Sequence, residues 1–159
     1  MNQKELELYI HIPFCVKKCS YCDFLSAPAT EQTKEAYMAA LFAEIGGRAK
    51  DYKDRIVTSV FIGGGTPSLL SADSIRQLME HIREGFRLAP DAEITMEVNP
   101  GTVTAEKLTA FYEAGINRLS IGMQSAQEQE LKILGRIHDF DGFCQVYREA
   151  VEAGFTNIN

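Results

Sequence analysis

Four short, nearly continuous runs of apolar residues lie along the chain, each followed by a longer stretch that mixes apolar and polar positions. Runs of this length with little alternation are typical of parallel strands that are buried on both faces. They occupy residues 8–12, 56–62, 93–98 and 119–122. The pattern therefore predicts four β-strands, widely enough spaced for a helix between each pair.

The stretches between these strands have the three-to-four-residue apolar spacing of amphipathic helices. Ile75, Leu78 and Ile82 share one helical face, and Ser71 stands before that segment as a suitable N-cap. Gly115 and Gly154 end two further helical patterns, at the position where a C′ glycine belongs. The alternation of strands and helices predicts right-handed βαβ units, and hence an α/β fold built on a parallel sheet.

A weak internal repeat extends this prediction to the end of the chain. The segment EAGINRLS begins at position 113 and the similar segment EAGFTNIN begins at position 152, each reading as a helix end that turns into a strand. The second copy predicts a fifth strand that starts near Asn157. We therefore expect residues 1–159 to be one domain, truncated at the start of its fifth strand, and to form an incomplete barrel.

Composition and charge argue against several classes of function. With 159 residues, 45% of them apolar, the chain is large enough for one domain with a core, and its net charge of −6 gives no basic footprint for nucleic acid. No stretch approaches the roughly 20 apolar residues that span a bilayer. The first ten residues, MNQKELELYI, lack the apolar core of a signal peptide. We expect a cytoplasmic protein, in whose reducing environment clustered cysteines are metal ligands or catalysts more often than disulfides.

The unusual motifs all follow predicted strands. Ligands of parallel α/β sheets bind at the carboxyl ends of the strands, so these motifs are expected to meet at one edge. In chain order they are the cysteine-rich loop CVKKCSYC (15–22), the run GGGTP (63–67), EVNP (97–100) and GMQS (122–125).

Three cysteines within eight positions suggest a metal site. Cys15, Cys19 and Cys22 have no fourth cysteine nearby, whereas a structural zinc site usually takes four ligands. A catalytic zinc ion with three ligands is an alternative, although three thiolates are an unusual set for it, and a disulfide would leave one thiol over. A [4Fe–4S] cube with three protein thiolates keeps one iron open to a substrate. Cys144 stands alone within a helical pattern and is expected to be an apolar core residue.

The spacing C-x3-C-x2-C, with Tyr21 just before the last cysteine, resembles the signature of the radical S-adenosylmethionine (SAM) enzymes. Within that superfamily the chain is most similar to the group of the oxygen-independent coproporphyrinogen III oxidases and heme chaperones (HemN and HemW). The segments that carry this resemblance are YIHIPFC (9–15), GGGTPS (63–68) and LSIGMQS (119–125). The resemblance implies the N-terminal portion of a (β/α)6 radical SAM barrel.

The resemblance also implies a set of cofactor-binding residues. The three clustered cysteines would bind three irons of a [4Fe–4S] cluster, and SAM would chelate the fourth iron. Tyr21 would face the adenine, and Arg136 would pair with the SAM carboxylate. The positions that match SAM contacts in the family are Tyr9, Tyr21, Gly64, Gly65, Thr66, Glu97, Gln124 and Arg136.

Phe24 distinguishes two branches of the group. The porphyrinogen oxidases carry a further cysteine two positions after the third cluster cysteine, where this chain has Phe24. The sequence Cys-Asp-Phe resembles the heme chaperones, which implies binding of a cluster, SAM and heme and delivery of heme to respiratory proteins. The alternatives are a coproporphyrinogen III oxidase, which decarboxylates porphyrinogen propionates with SAM, and a non-catalytic zinc-binding α/β module. The heme-binding region of the chaperones is expected to lie C-terminal to Asn159.

Overall fold

A computed structural model describes residues 4–159 and contains a four-stranded, fully parallel sheet in the order β1-β2-β3-β4. Helices connect consecutive strands, which confirms the α/β fold class and the parallel sheet of βα units. The strands are β1 (Lys4–Ile12), β2 (Arg55–Gly64), β3 (Leu88–Val98) and β4 (Arg118–Ile121). The helices are α1 (Glu31–Ala49), α2 (Ala72–Gly85), α3 (Ala105–Glu113), α4 (Glu128–Leu134) and α5 (Phe140–Glu152). Short 3₁₀ helices cover Lys50–Tyr52, Pro67–Leu69 and Pro100–Thr102.

All four predicted strands are present, and β3 starts five residues earlier than its apolar run. Leu88 pairs with Val57 before a shift in register, and regular pairing resumes where Ser59 meets Glu93. The intervening residues, APDA, do not read as a strand because they include a proline and an aspartate. The apolar pattern therefore locates the regular part of the strand and misses the irregular start.

Side-chain hydrogen bonds cap the N-terminal ends of α1, α2, α3 and α5. The Ser71 hydroxyl accepts from the backbone N–H of Ser74 at the start of α2, as predicted. Thr30, Thr104 and Asp139 cap α1, α3 and α5 in the same way. These bonds fix the residue at which each helix begins. The loop before α2 carries the glycine run, and the loop before α3 carries Asn99.

The core lies between one face of the sheet and the helices. Ile12, Ile62 and Met96 are fully buried on that face, against the apolar stripe of α2 that includes Ile75 and Leu78. The strands are not buried equally on both faces, contrary to the sequence-based expectation. The opposite face carries partly exposed side chains such as Tyr9, Glu97 and Ser120, because side chains alternate along a strand.

The last residues of the chain lie beside β4. The backbone N–H of Leu119 donates to Asn157 O (3.0 Å), and the N–H of Asn159 donates to Leu119 O (3.0 Å). Leu119 and Ile158 form an isolated parallel bridge. The domain boundary proposed from the sequence stays a prediction. Within residues 4–159, none of the helices combines the length and the apolar character needed to cross a membrane.

Candidate functional site

The three clustered cysteines lie on the loop between β1 and α1, and this loop is anchored at both its base and its middle. The Cys15 N–H donates to Ala27 O (3.1 Å), which closes the base of the loop. Near its middle, the N–H and hydroxyl of Ser20 donate to Leu134 O (3.2 Å) and Ile133 O (2.9 Å) at the end of α4. The last carbonyls of a helix have no partners within that helix, so the loop satisfies them. All three thiols are free and partly exposed.

A cavity of about 270 Å³ opens between this loop and the carboxyl ends of the strands. It is the place where the sequence predicts that the motifs converge. Every predicted site residue except Tyr9 lines it, namely Cys15, Cys19, Cys22, Tyr21, Gly64, Gly65, Thr66, Glu97, Gln124 and Arg136. The convergence of all four motifs on one cavity follows from the parallel order of the sheet.

Tyr9 lies on the exposed face of β1, outside the cavity lining. Its hydroxyl is 3.1 Å from His11 Nδ1, and its ring stacks against Phe61 with the ring centroids 6.1 Å apart. The other ring nitrogen of His11 lies 3.0 Å from Leu25 O. Tyr9 therefore supports the histidine that packs against the glycine run, and its contact with SAM stays a prediction.

The glycine run has two steric reasons for lacking side chains. Gly64 has φ +117°, a left-handed backbone that L-residues rarely adopt, and a Cβ there would lie 2.7 Å from the His11 ring. At Gly65 a Cβ would lie 2.7 Å from Phe14 O, which is backbone and cannot move aside. These glycines allow the first two βα loops to pack together at the floor of the cavity.

We expect Gly64→Ala to lower the free energy of unfolding of the apoprotein by about 1–3 kcal/mol, since the substitution strains the backbone and crowds His11. Urea denaturation measures the change. Gly46→Ala is the matched control, because Gly46 lies within α1 and a Cβ added there would meet nothing within 4 Å, so it should not destabilise. A Gly64→Ala protein as stable as the wild type contradicts the steric account.

Glu97 presents a carboxylate at the end of β3. Its Oε2 accepts from the Gly64 N–H at 2.9 Å, so the side chain is fixed against the glycine run. Burial raises the pKa of the Glu97 carboxyl, and the Gly64 N–H and nearby His11 only partly offset that rise. A carboxylate that is poorly solvated gains from a cationic or hydroxyl donor placed in the cavity.

Arg136 joins the cysteine loop to the turn after β4. Its Nη2 donates to Gly122 O (2.9 Å), and its Nη1 lies 3.4 Å from Tyr21 OH and 3.8 Å from Cys19 Sγ. Its Nε is buried and has no acceptor among residues 4–159. The guanidinium is therefore held at the cavity wall with one donor still unsatisfied, which suits an anionic group of a ligand.

Gln124 reaches the cavity through an uncommon backbone conformation. Its φ of 66° is the only positive φ of a non-glycine residue among residues 4–159. A Cβ on the neighbouring Gly122 would lie 2.9 Å from Gln124 Nε2 and 3.3 Å from Arg136 Nη2. The missing side chain at Gly122 thus leaves room for both polar groups.

The sequence assigned no individual role to several lining residues, although Asn99 belongs to the EVNP motif that was expected at this edge. Asn99, Ser120 and Ile137 line the cavity alongside the predicted set. Ser120 alternates with the buried Leu119 and Ile121 along β4, so a period-2 reading of that strand would have placed it on the cavity face. Ile137 carries no such signal, because it lies in the irregular segment between α4 and α5.

The donor set fits an iron–sulfur cluster. Thr66 Oγ1 donates to Cys15 Sγ (3.5 Å) and Arg136 to Cys19 Sγ, and donors of this kind stabilise thiolates and tune cluster potentials. In the described part of the chain, no three His, Cys, Asp or Glu side chains converge as the ligands of a single metal ion do. The thiolates of a cube bind separate iron corners and do not need to converge.

Comparisons with known proteins identify the family of the chain. The family model of the radical SAM superfamily matches residues 9–159. The heme chaperone HemW of Escherichia coli is 50% identical over 134 residues, which cover 84% of this chain and 35% of that protein. HemW of Haemophilus influenzae is 45% identical over 139 residues, covering 84% and 36%. The chain thus spans about a third of the length of these curated relatives.

Among solved structures, coproporphyrinogen III oxidase (HemN) from Escherichia coli, described as a radical SAM enzyme, superposes with a TM-score of 0.90 at 35% identity. The match covers 99% of this chain and 36% of that one. The hydrogenase maturase HydG superposes with a TM-score of 0.61 at 16% identity, which supports the fold alone.

Proposed function

Because the chain belongs to the radical SAM superfamily, we propose that Cys15, Cys19 and Cys22 bind a [4Fe–4S] cluster and that the adjoining cavity binds SAM. We further propose that the whole protein is a cytoplasmic heme chaperone, which binds heme and delivers it to respiratory proteins. The observation that carries the first proposal is the convergence of ten predicted site residues, the three free thiols among them, on one cavity.

The residues around the cavity have separable roles in this proposal. Arg136 offers its unsatisfied Nε–H to the SAM carboxylate, and Glu97 accepts from an ammonium or hydroxyl group. Tyr21 presents a flat face to the adenine, and the backbone of Gly65 lines the cavity where the methionine portion would lie. A [4Fe–4S] cluster held by the three cysteines would supply one-electron chemistry at the SAM sulfonium, whereas the protein would bind and orient the reactants.

Phe24 favours the chaperone over the oxidase. Its side chain lines the cavity and is 66% exposed, so it does not pack beneath the cysteine loop. At this position the phenyl ring presents an apolar surface beside the thiols and supplies neither a thiol nor a proton. The identity of up to 50% to chaperones supports the same choice. The oxidase remains the second candidate, because the HemN structure superposes so closely.

We expect the intact protein to bind heme and to leave coproporphyrinogen III unchanged under anaerobic conditions with SAM and a reductant. Heme binding is measured by optical titration, and turnover by the fluorescence of the porphyrin product after oxidation. The Escherichia coli oxidase, assayed in parallel, is the positive control. Robust decarboxylation by the wild-type protein would assign the oxidase function instead, and absence of heme binding would rule out the chaperone.

A further inference from the structure

Lys107 is a half-buried cation that has no anionic partner in the described part of the chain. Its Nζ donates to two backbone carbonyls, Ser68 O at 2.6 Å and Thr102 O at 3.1 Å. Among residues 4–159 it forms no ion pair, whereas Lys4, Lys34 and Lys132 each pair with a carboxylate. Burial, and then the charge of Lys34, lower the pKa of the Lys107 ammonium. Burial disfavours the charged form of this ammonium, so its position requires a structural or functional explanation.

The two carbonyls belong to different βα loops. Ser68 lies in the 3₁₀ helix Pro67–Leu69 after β2, and Thr102 ends the 3₁₀ helix Pro100–Thr102 after β3. Lys107 reaches both from the first turn of α3. Its ammonium is therefore a bridge between the loop that follows the glycine run and the loop that follows Glu97.

A ring of hydrogen bonds links the same loops directly. The N–H of Asn99 donates to Ser68 Oγ (3.1 Å), and Thr102 Oγ1 donates to Asn99 O (2.8 Å). Since the Thr102 proton is used in that bond, Ser68 Oγ must donate to Thr102 Oγ1 across their separation of 2.6 Å. Ser68 is fully buried, so its hydroxyl depends on the ring for its partners.

Both loops contain residues that line the cavity. Thr66 lies two positions before Ser68 and donates to Cys15 Sγ, and its backbone oxygen accepts from the Leu69 N–H (3.0 Å). On the other loop, Asn99 is a member of the ring and also lines the cavity. A displacement of either loop would therefore move a cavity residue relative to the cysteines.

We propose that Lys107 is a positioning residue for the SAM cavity, which acts by tying the loop after β2 to the loop after β3 and so fixes Thr66 and Asn99 opposite the cysteine loop. This inference rests on the proposed function of the cavity. Ser68 supports the same link between the two loops, because its hydroxyl belongs to the hydrogen-bond ring. Neither residue lines the cavity, so any effect on SAM binding must pass through Thr66, Asn99 and their neighbours.

The first test is SAM affinity in the intact, cluster-loaded protein. Lys107→Met keeps the length of the side chain and removes the ammonium, and it should weaken SAM binding by about 10–100-fold at unchanged iron content, as loss of outer supporting groups does. Lys107→Arg should restore binding, because its guanidinium can donate to both carbonyls. SAM-dependent changes in the electron paramagnetic resonance spectrum of the reduced cluster give the dissociation constant.

Two further variants control this experiment. Ser68→Ala opens the hydrogen-bond ring without touching the lysine and should weaken SAM binding in the same direction. Lys53→Met removes an exposed lysine before β2 and should leave binding unchanged. If the Lys107→Met protein unfolds more easily but binds SAM as the wild type does, the lysine is only a stabilising residue and the proposal is wrong.

A second measurement does not depend on SAM. Amide hydrogen exchange of the protein without SAM should become faster at Asn99 and Leu70 in Lys107→Met and Ser68→Ala, and unchanged in Lys53→Met. If the wild type binds no SAM, the proposed function of the cavity fails while this measurement still tests the tie. Unchanged exchange at both amides in the Lys107→Met protein overturns the inference.

Discussion

Replacing Cys15, Cys19 or Cys22 by alanine is expected to abolish the iron–sulfur cluster, whereas replacing Cys144 should leave it intact. Each of the first three thiols lines the cavity, so loss of any one removes a ligand from a set of three. Cys144 lies in α5, away from the cavity lining. The intact wild-type protein, reconstituted anaerobically with iron and sulfide, should hold about four irons per chain.

Iron and sulfide analysis of the purified variants, together with the absorbance of the cluster, measures this outcome. The Cys144→Ala protein is the matched control for the loss of one thiol and for handling during reconstitution. A cluster that survives Cys19→Ala but is lost in Cys144→Ala contradicts the ligand assignment. Stoichiometric zinc without sulfide in the wild type would instead support the zinc-binding alternative.

The positions of the motifs could be predicted because they depend on local patterns and on one general rule of sheet topology. The carboxyl ends of the four strands follow from the apolar runs to within two residues, and parallel order places those ends at one edge. The expected cluster ligands follow from the resemblance of the cysteine spacing to the radical SAM signature. Neither step requires knowledge of the tertiary contacts.

The contacts that shape the cavity could not be predicted, because they join residues that are distant in sequence. His11 packs over Gly64, and Ser20 bonds to the end of α4 more than a hundred positions later. The tie between Lys107 and Ser68 gives no signal in the sequence, where a lysine in an amphipathic helix reads as a solvated charge. The sequence predicts that Tyr9 contacts SAM, but Tyr9 is not among the residues that line the cavity.

Arg136→Ala should weaken SAM binding by about 1.5–3 kcal/mol, the usual contribution of a hydrogen bond to a charged group. Two effects act in the same direction. The Nε–H that the carboxylate would satisfy is removed, and Gly122 O and Tyr21 OH lose the donor that holds the cavity wall in place. Isothermal titration of the cluster-loaded protein with SAM measures the dissociation constant.

Two further proteins serve as controls in this experiment. Arg136→Lys separates the effect of the positive charge from that of the guanidinium geometry, and Arg148→Ala measures the effect of removing an arginine elsewhere. Lysine keeps the positive charge but lacks the planar fork, so its affinity for SAM should fall between those of the wild type and Arg136→Ala. Arg148 is an exposed arginine on α5, and its removal should not change SAM binding. Equal affinity in all four proteins would show that the SAM carboxylate does not meet Arg136. If lysine restores full affinity, the charge alone matters and the bidentate geometry is not required.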